Sequence, residues 1–220
     1  MGTKIQGQGY LAVPTAGSGP GVLVLQEWWG LVPHICSVAD RFAAAGYVAL
    51  APDLYEGKTT TSPDEAGRLL MALNIEKTAQ KLEASANYLL SLPEVIGDRV
   101  GVVGFCMGGQ LALLAGTMSD RIGAVVDFYG IHPNVKPNFT KLSAPVLGIF
   151  GEADKSVPVS AVHALESAIQ AAGGNITTRI YPGAGHAFFN DTRPEVYNPD
   201  AAADAWQQTL SFLQKHLAVV

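Results

Sequence analysis

Long hydrophobic runs, basic clusters and cysteines are what this chain has least of, and each shortage removes a class of protein. Its apolar stretches are strand length, far short of the roughly 20 consecutive apolar residues that a membrane-spanning helix needs. The opening residues M-G-T-K-I-Q-G-Q-G-Y lack the apolar core of a secretory leader. Neither membrane insertion nor export is expected, and the cytoplasm is the expected location. The 14 Lys and Arg residues are scattered among 19 Asp and Glu, giving a formal charge of −5. They never form a basic run, so no nucleic-acid partner is expected. Two cysteines, Cys36 and Cys106, in 220 residues are too few for a secreted disulfide framework, and both are read as reduced. The five histidines nowhere stand at metal-ligand spacing. His34, His132, His163 and His216 read as surface or packing residues, and neither a metal nor another cofactor is expected.

What remains is apolar and strongly patterned. With 48% hydrophobic residues the chain can bury one sizeable core, and a single domain over residues 1–220, acting as a monomer, is expected. Gln8 to Gln26 reads as two strands joined across A-G-S-G-P-G, a turn cluster that lacks the Gly-Lys-Ser/Thr ending of a phosphate loop. Helical spacing covers Val32 to Ala45, where Cys36 reads as a core or near-core residue, and Gly46 stops it. Tyr47 to Pro52 is the next strand. A long helical region, Asp64 to Leu92, breaks near Asn74 and carries Leu69, Leu70, Leu73, Leu82, Ala86, Tyr88 and Leu89 as core candidates. Ala124 to Tyr129 and Pro145 to Phe150 are continuous apolar runs of the kind found in buried parallel strands. Ser160 caps a helix to Ala172, Ile176 to Tyr181 alternates as a strand, and Ala201 to Leu217 closes the chain as an amphipathic helix. Strands alternating with helices predict an α/β fold: a doubly wound, mostly parallel sheet flanked by helices and extended by an N-terminal hairpin.

One stretch organises the rest. In R-V-G-V-V-G-F-C-M-G-G-Q-L-A-L-L-A-G, residues 99–116, an apolar strand ends at Gly104 and a helix of small residues begins at Met107. Gly-x-Cys-x-Gly is the spacing of a nucleophile held in a strained strand-to-helix turn, where glycines keep side chains out of its way. A thiol there also stands at a helix N-terminus, whose partial positive charge favours thiolate. An activated cysteine needs a base, and the base an orienting acid. Asp154, in G-E-A-D-K-S-V-P, and His186, in Y-P-G-A-G-H-A-F-F, follow later strands at the same sheet edge. The chain order of nucleophile, acid and histidine is that of the α/β hydrolases.

The motifs V-L-V-L-Q-E-W-W-G, A-P-D-L-Y, G-F-C-M-G-G, G-E-A-D-K-S-V-P and G-A-G-H-A-F together resemble the dienelactone hydrolase (carboxymethylenebutenolidase) family over nearly the whole chain. The resemblance implies an α/β-hydrolase fold and a triad of Cys106, Asp154 and His186. It also implies Glu27 as the acidic partner of the resting thiol, taking its proton when substrate arrives. The oxyanion is then expected on the backbone N–H groups of Met107 and Trp28. Trp28, Trp29, Tyr55, Phe188 and Phe189 flank the motifs as walls for a small apolar pocket. Relatives acting on dienelactone are expected to bind its carboxylate with arginines. Here one such position is Asn190 and the other falls near Pro63, which leaves Arg68 or Lys58 as substitutes. The expected reaction is cleavage of a small ester or lactone through a Cys106 thioester. The alternative is a hydrolase-like small-molecule binding protein without turnover, which a chromogenic ester and Cys106→Ala separate.

Overall fold

A computed structural model describes residues 1–217. Eight strands form one sheet: β1 (Thr3–Ile5), β2 (Gly9–Ala12), β3 (Gly19–Leu25), β4 (Val48–Pro52), β5 (Val95–Phe105), β6 (Ile122–Phe128), β7 (Val146–Gly151) and β8 (Ile176–Tyr181). Six helices connect or close them: α1 (Pro33–Ala44), α2 (Pro63–Ala72), α3 (Ile75–Ser91), α4 (Met107–Gly116), α5 (Val159–Ala171) and α6 (Pro199–His216). The strand order is β1-β2-β4-β3-β5-β6-β7-β8, and every pairing from β4 onward is parallel. Strands β3, β4, β6 and β7 are almost wholly buried, as a sheet covered on both faces requires. On one face α1 and α6 contribute Ile35, Val38, Phe42, Ala205 and Leu213 to a core with Val24, Val103 and Val126. On the other, α3 and α4 contribute Leu82, Leu89, Leu111 and Ala112 to a core with Leu23, Val102 and Val125. That is the doubly wound arrangement expected from the sequence.

Three local expectations change. The two strands flanking A-G-S-G-P-G exist as β2 and β3, but β4 lies between them, and the hairpin joins β1 to β2 instead. Gly7, at φ 77, turns the chain there. Ser160 is no cap: α5 starts at Val159 behind Pro158, whose carbonyl accepts the Ala161 and Val162 N–H groups. Leu69, Leu70, Leu73 and Tyr88 are half-buried, packed against the outside of this core and not within it. The break between these helices is as expected, with the Asn74 side chain accepting the Lys77 N–H at 3.0 Å. Cys36 is half-buried, Cys106 is buried, and both are free thiols. Among the described residues no helix is long and apolar enough to cross a membrane.

Candidate active site

The turn between β5 and α4 is built from what its glycines omit. A Cβ on Gly104 would overlap the Gly108 carbonyl, and one on Gly108 would overlap the carbonyls of Leu25 and Gln26. Strand and helix therefore approach more closely than side chains permit. Between them Cys106 takes φ 54 and ψ −118, a conformation that costs a non-glycine residue about 1–3 kcal/mol. Hydrogen bonds hold it there. Its N–H donates to the Phe128 carbonyl at 2.9 Å, and its own carbonyl accepts from Gly109, Gln110 and Ile131.

Asp154 and His186 reach the same edge from the loops after β7 and β8. Asp154 Oδ1 accepts the N–H groups of Ser156 and Val157 at 2.7 and 3.0 Å, which fixes the carboxylate. Its Oδ2 stands 2.7 Å from His186 Nδ1, so Nε2 is the ring nitrogen left free of Asp154. Burial pushes the imidazolium toward losing its proton. The hydrogen bond to Asp154 and the nearby negative charges of Cys106 and Asp154 outweigh that and raise His186 to about 10. The next residue, Ala187, lies at φ 62, and there the loop bends back into the core.

Glu27 stands just beyond the end of β3 and is 1% exposed. Its side-chain hydrogen-bond partner among the described residues is Asn190 Nδ2, 2.9 Å from Oε2, and not Cys106. Burial raises the Glu27 pKa, while the Asn190 bond and the charges of His186 and Arg193 oppose that rise. Met107 N–H and Trp28 N–H donate to no protein acceptor among the described residues.

The aromatic wall expected around the site is only partly there. Trp28 and Trp29 are half-exposed and pack edge-on at 5.0 Å, with the Arg193 guanidinium 5.5 Å from the Trp29 ring centre. Phe188 and Phe189 are core residues: Phe188 packs against Tyr129 and Tyr181, and Phe189 against Phe105 and Phe128. Alternating side chains cannot both face a pocket, and here the loop is buried on both sides. Tyr55 is buried, with its hydroxyl on the Met107 sulfur at 3.2 Å. Asn190 is 2% exposed and turned toward Glu27. Arg68 is exposed and held by Glu65 at 2.6 Å, so it does not serve the site. An apolar groove beside the elbow, about 580 Å³, is lined by Gln110, Ile131, Val135, Val157 and Leu165, with Lys136 among its polar residues and neither Cys106 nor His186 on its wall. The cavity that His186 itself lines, about 630 Å³, runs past Lys155, Ser156, Val196 and Tyr197. Ile131 follows the strand next to the elbow, and that position is the sequence signal by which it was discoverable.

Parallel strands, a strained elbow after β5, and an acid and a histidine on the loops after β7 and β8 define an α/β hydrolase. The dienelactone hydrolase family profile matches residues 8–217, and the chain belongs to that family of hydrolases. Protein usf of Aquifex pyrophilus is 38% identical over 98% of this chain and 95% of its own length. An Aquifex aeolicus protein provisionally named carboxymethylenebutenolidase is 31% identical, again over 98% and 95%. The crystal structure of a Klebsiella pneumoniae protein, provisionally titled a dienelactone hydrolase, superposes with a TM-score of 0.86 at 30% identity and covers 98% of both chains.

Proposed function

We propose that the chain hydrolyses small, largely apolar esters or lactones through a Cys106 thioester. The observation that carries this reading is Cys106 held in a strained strand-to-helix elbow, at the same sheet edge as a histidine whose Nδ1 is 2.7 Å from a buried, doubly anchored Asp154. A histidine raised to about 10, in part by the negative charge of Cys106, holds its proton once the thiolate has formed, so we assign it the role of proton donor and not that of acceptor of the thiol proton. Glu27 takes that proton. The thiolate attacks the substrate carbonyl, the oxyanion settles on the N–H groups of Met107 and Trp28, and His186 protonates the leaving alkoxide. Neutral His186 then draws a proton from water, the hydroxide cleaves the thioester, and the departing thiolate recovers its proton from Glu27. Every group returns to its starting state, and no cofactor enters.

The substrate class follows from two features. The groove beside the elbow is mainly apolar. Asn190, where a guanidinium would clamp a substrate carboxylate, is neutral, and its amide is occupied by Glu27 and Thr192. Losing a charged partner costs about 1.5–3 kcal/mol, or roughly 10- to 150-fold in kcat/KM. Neutral short-chain esters are therefore expected to match or exceed dienelactone. The test combines a kcat/KM panel of neutral and anionic esters and lactones with mass spectrometry of the Cys106 peptide after a millisecond quench. An acyl adduct on Cys106, absent from Cys106→Ala, supports the mechanism, whereas turnover by Cys106→Ala sinks it. A hundredfold preference for the anion sinks the substrate assignment alone.

A further inference from the structure

The cycle above leaves Asn190 without a task, yet its whole amide is engaged. Its Oδ1 accepts from Thr192 N–H at 3.1 Å and from Thr192 Oγ1 at 2.7 Å, and its Nδ2 donates to Glu27 Oε2 at 2.9 Å. Two donors on one end identify that end as the oxygen, so the NH2 group is forced toward Glu27. The other carboxylate oxygen, Glu27 Oε1, is buried with no protein partner among the described residues. Such an oxygen in a closed site is costly unless a proton or a donor reaches it during the reaction.

We propose that Asn190, oriented by Thr192, is the positioning residue of Glu27: it anchors Oε2, reserves Oε1 for the thiol proton, and sets the acid limit of activity. The inference rests on the proton-acceptor role given to Glu27 above. In that step the S–H bond of Cys106 breaks, an O–H bond forms on Oε1, and the electron pair stays on sulfur. Because the anchor is a neutral amide, it favours the carboxylate less than a guanidinium would, and Glu27 can both accept and return a proton. The ionisable groups facing Glu27 are few. His186 and Arg193, from the loop after β8, favour its charge, and Tyr129, beyond β6, stays a neutral phenol through burial first and the Glu27 and Cys106 charges next. Asp191 turns away to His34 and Arg41.

Removing the amide donor destabilises the carboxylate, so Glu27 stays protonated to higher pH. Asn190→Ala is expected to move the acid limb of the kcat/KM profile upward by roughly one to two pH units, the equivalent of a hydrogen bond to a charged group. Thr192→Val, which lets the amide turn, moves it the same way by less. Asn190→Asp keeps the volume if the alanine variant fails to fold, and its second carboxyl moves the limb further up. In a Glu27→Gln background, Asn190→Ala is expected to add no further shift, because the group it tunes is gone. A folded Asn190→Ala with an unmoved limb, or a shift that persists in Glu27→Gln, overturns the positioning role and leaves Glu27 as acceptor. Wild-type kinetics in Glu27→Gln itself overturns the acceptor role, and this inference with it.

Discussion

At Cys106 the backbone carries a cost in the folded chain. A side chain at φ 54 is strained by about 1–3 kcal/mol, whereas glycine is at ease there and loses only about 0.5–1 kcal/mol of chain entropy. Cys106→Gly is therefore expected to be inactive and to melt no lower than Cys106→Ala; a clearly lower melting temperature would show an unstrained elbow. For Asp154→Asn, loss of the carboxylate that orients His186 is expected to lower kcat by roughly 10²–10⁴-fold, by analogy with serine triads. The same pair has a pH signature. Since His186 is raised to about 10 from an unfolded value near 6.5, its contribution to stability is full below about 6.5 and is lost as the pH climbs through about 10. The gap in melting temperature between wild type and Asp154→Asn should be widest at about pH 6.5 and shrink toward pH 10. A gap that does not vary with pH would mean that the pair adds no proton-linked stability.

Among the elements, the loop after β8 is held by its neighbours. Arg41 of α1 places its guanidinium 4.9 Å from the Phe189 ring centre and 4.6 Å from that of Trp206 in α6, with Asp191 at 3.9 Å. A planar cation between two rings is not replaced by an ammonium, and Arg41→Lys is expected to cost about 1 kcal/mol, read from the denaturant midpoint. An unchanged midpoint would make the clamp incidental. Much of this architecture was legible in the sequence, for a physical reason. Strands, helices and the Gly-x-Cys-x-Gly turn are local, and the loops bearing Asp154 and His186 follow strands whose periodicity is plain. Their meeting at one edge follows from parallel strand direction. The neighbour of β2 was not legible, because β4 arrives from elsewhere in the chain. Neither was the Asn190–Glu27 bond, which spans 163 residues. The inward turn of Phe188 and Phe189 depends on the bend at Ala187, which residue type does not announce.

For the molecule as a whole, the most exposed thermodynamic weakness is its most buried carboxyl. Asp127 sits in β6 between Gly104 and Gly148 of the adjoining strands. Burial raises it to about 7, against the opposing Gly130 N–H. An acid raised in the folded state contributes stability that is full below its unfolded value of about 3.9 and lost as the pH rises through about 7. Asp127→Asn, which cannot ionise, is thus expected to gain melting temperature relative to wild type as the pH goes from 4 to 7.5; a constant difference would mean that Asp127 does not titrate on folding. The sheet order has a consequence of another kind. β5 and its thiol turn pair first with β3, which precedes them, while the acid, the histidine and Asn190 all follow. On the ribosome, Glu27 and Cys106 are both made before Asp154, His186 and Asn190. The elbow is therefore synthesised before the loops that bring Asp154, His186 and Asn190 to its sheet edge, and before the partner that holds Glu27 Oε2.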